Sequence, residues 1–180
     1  MWSFTLPIDL SSANMRIVNG RHAATAAMYR RRRDTWVSWM CLAARHAGLP
    51  FVGDAGRTVG LMYVVLGDGD VAKWRRRVTI VRLMGRGQRA FDDDNIAAAC
   101  KGLRDAMQRP RTYGKRMKFG GRTSGLVVQV PIAGAGIVWD DSCRWSEWRY
   151  AQERAADGRP GVRVTVEDIE HRPEPGRTES

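Results

Sequence analysis

Asp92, Asp93 and Asp94 form a run of three carboxylates, followed at once by Asn95, in a chain with 30 Lys and Arg against 19 Asp and Glu. Neighbouring carboxylates repel one another unless a cation or an arginine lies between them. On a protein of formal net charge +11, such a run fits a hard divalent cation held near a polyanion. The competing use is an acidic turn that caps a helix. A second acidic pair, Asp140-Asp141, comes after the apolar approach Gly136-Ile137-Val138-Trp139. Between the two lie Lys101 and Asp105, four residues apart, the spacing of a minor surface ion pair on a helix. Placed just after three aspartates, that lysine is also suited to meet a phosphate.

Magnesium prefers oxygen ligands and commonly combines one or two carboxylates with waters and substrate phosphate oxygens. Hydrolysis of a phosphodiester needs an activated water, charge neutralisation in the transition state and a stabilised leaving oxygen. Asp92, Asp94 and Asp141 have the chemistry to hold the metal, and Lys101 the chemistry to neutralise developing charge. Asp93 is expected to point away and cap the helix.

These residues need elements to position them. Residues 2–7 alternate and stop at Pro7, which predicts a short strand. Residues 8–22 are polar and turn-rich. From 23 to 47 no Pro or Gly interrupts a predicted helix that ends at Gly48-Leu49-Pro50. Its apolar positions Met28, Val37, Met40, Cys41 and Ala44 mix with Arg30-Arg31-Arg32-Arg33. Four consecutive arginines wrap around a helix, so at least two belong to a solvated face, and Arg31 is a candidate nucleic-acid contact. Residues 58–66 and 74–84 read as two strands joined by the turn Gly67-Asp68-Gly69-Asp70. A helix is predicted from 95 to 108, stopping before Pro110. At 100° per residue its Ile96, Cys100, Leu103 and Met107 share one stripe, with Asp94, Ala98, Lys101 and Asp105 opposite.

Residues 109–136 break the rhythm and read as an inserted basic arm or hairpin. Its Arg111, Lys115, Arg116 and Lys118 stand among Tyr113, Phe119 and glycines, a mixture suited to phosphate contact and base stacking. A closing hairpin is expected from 143–152 and 162–167, with Val162, Val164 and Val166 on one face. Residues 171–180 carry two prolines and little to pack, and are expected to be a disordered tail. The predicted architecture is one α+β domain over 1–170: two layers, a mixed sheet packed against two main helices.

Bulk properties narrow the partner. A content of 43% hydrophobic residues, with seven Trp, predicts a folded globule. A sequence pI near 10.5 points to a polyanion, with nucleic acid favoured over membrane. No apolar run approaches the roughly 20 residues of a membrane span. Met1-Trp2-Ser3-Phe4-Thr5 lacks the pattern of a signal peptide. Cys41, Cys100 and Cys143 are scattered, which suits reduced cytosolic thiols. His22, His46 and His171 are unclustered and read as surface residues.

Taken in order, Asp92-x-Asp94-Asn95, a helical Lys101 and Asp105, and a Gly-x-x-Trp-Asp140-Asp141 element resemble the RusA family of Holliday junction resolvases. The opening Thr5-Leu6-Pro7, Asn14, and Gly20-Arg21 before a basic helix also resemble that family's N-terminal pattern. The resemblance covers residues 2 to about 168, interrupted by the arm. It implies a magnesium-dependent endodeoxyribonuclease, with manganese as a substitute metal. It further implies a homodimer acting on branched DNA in recombination and repair, in the cytoplasm of a bacterial or phage-infected cell. By the same resemblance Asp92, Asp94 and Asp141 are the metal ligands, Lys101 the helical lysine, and Asn14 and Arg21 nucleic-acid contacts. Two departures stand out. The family's lysine follows the asparagine by three positions, where this chain has Ala98; Lys101 is one turn further on and about 60° around the axis. The segment between Asp105 and Asp140 is also far longer than the family's link. Two other readings fit the residues: a metal nuclease acting on flaps or single strands, and a non-catalytic nucleic-acid-binding protein whose acids cap helices and pair with arginines.

Overall fold

The structure, a computed structural model, describes residues 1–10, 23–51, 58–59, 62–63, 75–119 and 122–169. The elements are β1 (Trp2–Leu6), α1 (Ala23–His46), β2 (Thr58–Val59), β3 (Met62–Tyr63), β4 (Arg75–Met84), α2 (Asp93–Met107), β5 (Arg111–Phe119), β6 (Arg122–Ile132), β7 (Ser146–Arg154) and β8 (Gly161–Ile169). Four strands form a mixed sheet in the order β1-β8-β4-β7, parallel only between β4 and β7. With α1 and α2 this is the expected α+β fold. Asn14 and Arg21, the turn at 67–70 and the tail at 171–180 lie outside the described residues.

One sheet face is apolar because alternate residues point the same way along a strand. Phe4 and Leu6 of β1, Val78 and Ile80 of β4, and Val162, Val164 and Val166 of β8 are all buried there. The helices supply the other half of the core. Val37, Met40, Cys41 and Ala44 come from α1, and Ile96, Cys100, Leu103 and Met107 from the predicted stripe of α2, joined by Ala99 and Ala106. Fully burying one large aliphatic side chain contributes about 1.5–3 kcal/mol, so this shared face anchors both helices. The opposite sheet face is ionic: Arg77 bridges Glu147 (2.9 Å) and Glu167 (3.3 Å), and Arg163 meets Glu153 at 2.7 Å. The Arg77 hydrogen bond holds the Glu147 carboxyl below its usual range.

α1 stops where the glycine signal placed its end. Gly48 takes φ +70°, its amide donates to Arg45 O and the Leu49 amide donates to Ala44 O, both at 2.9 Å. These are the two bonds of a Schellman cap. The arginine block divides as a helix requires. Arg32 lies over the Trp36 ring at 4.8 Å and donates to Asp9 O, Arg33 reaches Asp105 O and Ala133 O, and Arg31 is exposed.

Two predicted hairpins are paired differently. Both edges of β4 are occupied, by β7 and by β8, and most of 58–66 and the turn after it lie outside the described residues. The described part of the first segment instead pairs with itself, Thr58 with Tyr63 and Val59 with Met62. The closing hairpin is likewise split, since β4 lies between β7 and β8. The connection between those strands passes the end of β4: Ala155 N donates to Met84 O and Arg86 N to Gly158 O, both at 3.0 Å.

Arg76 ties these pieces together and is fully buried. Its guanidinium donates to Asp168 at the end of β8 (2.8 Å), to Ile137 O (2.7 Å) and to Pro50 O just after α1 (2.7 Å). Burial lowers its pKa, against the hydrogen bond and charge of Asp168. A buried cation is tolerable only with such partners, and here each partner belongs to a different segment.

Candidate functional site

The site is built around the two ends of α2. At the N-terminal end, the residue before the acids is clamped. Gln152 of β7 accepts from Phe91 N (2.8 Å) and donates to Phe91 O (2.6 Å). Beneath it, buried Arg82 places its guanidinium 3.8 Å from the centre of the Phe91 ring and donates to Gln152 and to Arg89 O. Sheet and acidic run are thereby held in fixed relation.

Asp92, not Asp93, stands at the N-cap, with extended φ −69° and ψ 162° and no capping bond from its side chain. Its carbonyl accepts from Ile96 N at 3.0 Å, and its carboxylate accepts from the Asn95 side-chain amide. Asp93 and Asp94 begin the first turn, and all three acids are exposed. Carboxylates here are stabilised by the positive end of the helix dipole. Ala98 and Lys101 are exposed as well, on the solvent side of α2. The Asp105 backbone carbonyl accepts from Arg33 at 3.3 Å.

At the C-terminal end the chain leaves α2 for a long segment and comes back to it. The last helix carbonyls are capped by the returning chain: Ala135 N donates to Ala106 O (2.8 Å), Ile137 N and Val138 N to Met107 O (2.9 and 3.1 Å), and Gly136 N to Gln108 O (3.0 Å). Gly134 passes so close that a Cβ would sit 2.8 Å from the Arg109 carbonyl carbon. In between, β5 and β6 pair as an antiparallel ribbon from Arg111↔Ile132 outward, with an irregularity between Arg116 and Lys118. Arg111 and Arg116 are exposed on it; the side chains of Lys115 and Lys118 lie outside the described residues. The ribbon leaves and returns at one point, so the Asp140-Asp141 turn comes back against α2 as if the link were short.

At that turn Asp140 is structural: its carboxylate accepts from the Ser142 amide (2.8 Å) and hydroxyl. Asp141 is exposed, 3.4 Å from Arg104 Nη2. The Arg104 guanidinium in turn lies 5.0 Å from the Trp148 ring centre. Burial pushes the nearby Tyr150 phenol up, opposed by Arg104.

The donor chemistry of Asp92, Asp94 and Asp141, all hard oxygens, suits magnesium. Their arrangement is two carboxylates at the helix start and a third beside Arg104. Arg104 is ten residues, or about 15 Å of helix axis, beyond Asp94. Among the described residues no three His, Cys, Asp or Glu side chains gather into a set that could hold a metal ion. No described helix is long and apolar enough to cross a membrane.

Sequence reasoning missed Arg82, Gln152 and Arg104 as the residues that position the acids. Arg82 was within reach: with Val78 and Ile80 facing the core, strand alternation turns residues 76 and 82 inward too. Gln152 and Arg104 carried no such signal. Comparison with protein-family models, with curated proteins and with solved structures gives no match to this chain.

Proposed function

We propose that this protein is a magnesium-dependent endodeoxyribonuclease that hydrolyses phosphodiester bonds in branched DNA, with the four-way junction as substrate and a homodimer as the working form. The observation that carries the reading is the return of the Asp140-Asp141 turn to the helix that begins with Asp92 and Asp94, across an insertion of more than two dozen residues. Asp92 and Asp94, at the start of α2, are the residues that would hold the metal, with waters and substrate phosphate oxygens completing its shell; Asp141, paired with Arg104, is not gathered with them among the described residues. Bound there, it would supply charge neutralisation and a water acidified for attack. The chain's own residues have separate tasks. Lys101, exposed on α2, would neutralise charge on the phosphate. Arg104 neutralises Asp141, and a DNA phosphate competes for that guanidinium through charge-assisted hydrogen bonds. Arg31, Arg111 and Arg116 are exposed cations suited to the backbone, as is the sequence charge of Lys115 and Lys118.

The Asp94→Asn variant tests the reading, assayed separately for binding and cleavage of a four-way junction. Cleavage is expected to vanish while binding survives; undiminished cleavage would sink the nuclease reading. Competition among junction, flap and linear duplex separates junction resolution from flap or single-strand cleavage. A second reading, a non-catalytic nucleic-acid-binding protein, is favoured by the structural use of Asp92 with Asn95 and of Asp140 with Ser142. It predicts that wild-type protein binds DNA but never cuts it, at any magnesium or manganese concentration.

A further inference from the structure

Two tryptophans bracket the turn that carries Asp140 and Asp141. The ring centres of Trp139 and Trp145 lie 6.3 Å apart, with planes tilted by 52°. They meet because the chain folds back between them: Trp145 N and Ser146 N donate to Ser142 O at 3.1 and 2.9 Å, on top of the Asp140 to Ser142 turn. An arginine stands over each ring, Arg109 at 4.0 Å from the Trp139 centre and Arg144 at 5.0 Å from that of Trp145. Both indoles are half-buried and Arg144 is exposed.

Two half-buried indoles flanked by guanidinium groups suit a ligand that is flat, π-faced and anionic. A nucleobase with its phosphates has that chemistry: bases stack on indoles whatever their sequence, and arginines meet the phosphates. A fully paired duplex keeps its bases stacked on one another, so the match is to an unpaired nucleotide. The flanking region agrees in charge, since residues 106–139 carry six Lys and Arg and no Asp or Glu.

We infer that Trp139 and Trp145, with Arg109 and Arg144, form a stacking site for an unpaired nucleotide, which sets the adjoining phosphate beside the Asp141 turn. This rests on the nucleic-acid reading above and adds to it a requirement for unpaired bases at one defined place. It does not depend on cleavage.

The test is binding in EDTA, where cleavage is silent, of an oligothymidylate of about 12 nucleotides and of a blunt duplex, followed by tryptophan fluorescence. Wild-type fluorescence is expected to be quenched by the single strand. Trp139→Leu and Trp145→Leu should each weaken single-strand binding roughly tenfold or more and leave duplex binding within about twofold. Trp139→Phe, which keeps a stacking face, should retain most of the affinity; a filler role in the turn would not separate Phe from Leu in this way. Arg144→Ala should lower the salt slope of single-strand binding by about one. If the leucine variants melt like wild type and bind the single strand equally well, the stacking site is overturned. If they do not fold, the Phe and Arg144→Ala variants carry the decision, and an unchanged salt slope in Arg144→Ala together with lost binding in Trp139→Phe overturns it. Wild type that binds duplex but not single strand overturns the stacking site alone, whereas wild type that binds neither overturns the nucleic-acid reading itself.

Discussion

The N-terminal end of α2 presents Asp92, Asp93 and Asp94 to solvent, while near its C-terminal end Asp141 already faces a guanidinium. The helix itself accounts for the difference. Its unsatisfied amides give the N-terminus a partial positive charge, and its carbonyls give the C-terminus a negative one. Acids can gather at the first end without a partner, but at the second an acid needs a cation. Arg104, in the last turn, serves the dipole and Asp141 together. The two ends are also positioned by different means. A side-chain clamp of Arg82, Phe91 and Gln152 fixes the first, whereas backbone amides of the returning chain fix the second.

The largest effect is expected where one residue holds the C-terminal end to the rest. Arg76→Met removes the donor to Ile137 O, Pro50 O and Asp168 and should cost about 3–5 kcal/mol, read by urea denaturation. A loss below about 1 kcal/mol would show that the Asp140-Asp141 turn is anchored elsewhere. Gln152→Ala should cost about 1–3 kcal/mol and act on the N-terminal end. Hydrogen exchange should speed up at Ile96, with the Ile137 and Val138 amides unchanged. Uniform loss of protection at both ends would mean that the two are not separately held.

Magnesium should sharpen the contrast further. If the acids at the helix start bind it, the melting temperature rises with magnesium, by the equivalent of about 1.4 kcal/mol at ten times the dissociation constant. Asp94→Asn should abolish the rise; an unchanged melting curve in the wild type would remove these acids as a metal site. Arg104→Ala is expected to be the mildest, under about 1 kcal/mol, because its pair with Asp141 is partly exposed. Alkaline titration tests the face between the ends. Burial pushes the Cys100 thiol up to about 12 and the Cys41 thiol up to about 11. A thiol ionises more readily in the unfolded chain, so stability should be intact below about pH 9 and fall as pH rises from there towards 11. At neutral pH a thiol reagent should modify exposed Cys143 and spare the other two until the chain unfolds.

Much of the fold could be read from the sequence. β1, both helices, the valine face of β8 and the α2 core stripe follow from periodicity and from the Gly48 stop, which are local properties. The strand order could not be read that way. β4 separates β7 from β8, and nothing in 143–167 announces a strand from 60 residues earlier. Nor does the run Arg75 to Arg77 distinguish Arg76, which sits at the centre of four segments. In the site, the acids were found by residue type, but what holds them was not. The Phe91 clamp depends on contacts between residues some 60 positions apart, and Arg104 on a pairing across 37.

The meeting of the ribbon's two ends has one more consequence. Because the bonds that dock Ala135 to Val138 on the end of α2 involve no residue between Arg109 and Gly134, the ribbon is a side branch, not a link in the path of the fold. Loop closure adds only about 0.6 kcal/mol for each doubling of loop length, and the crossing at Gly134 stays put. The segment is therefore an exchangeable module: a graft or a short turn in its place should alter what the protein grips and leave the spacing between the two acidic elements alone.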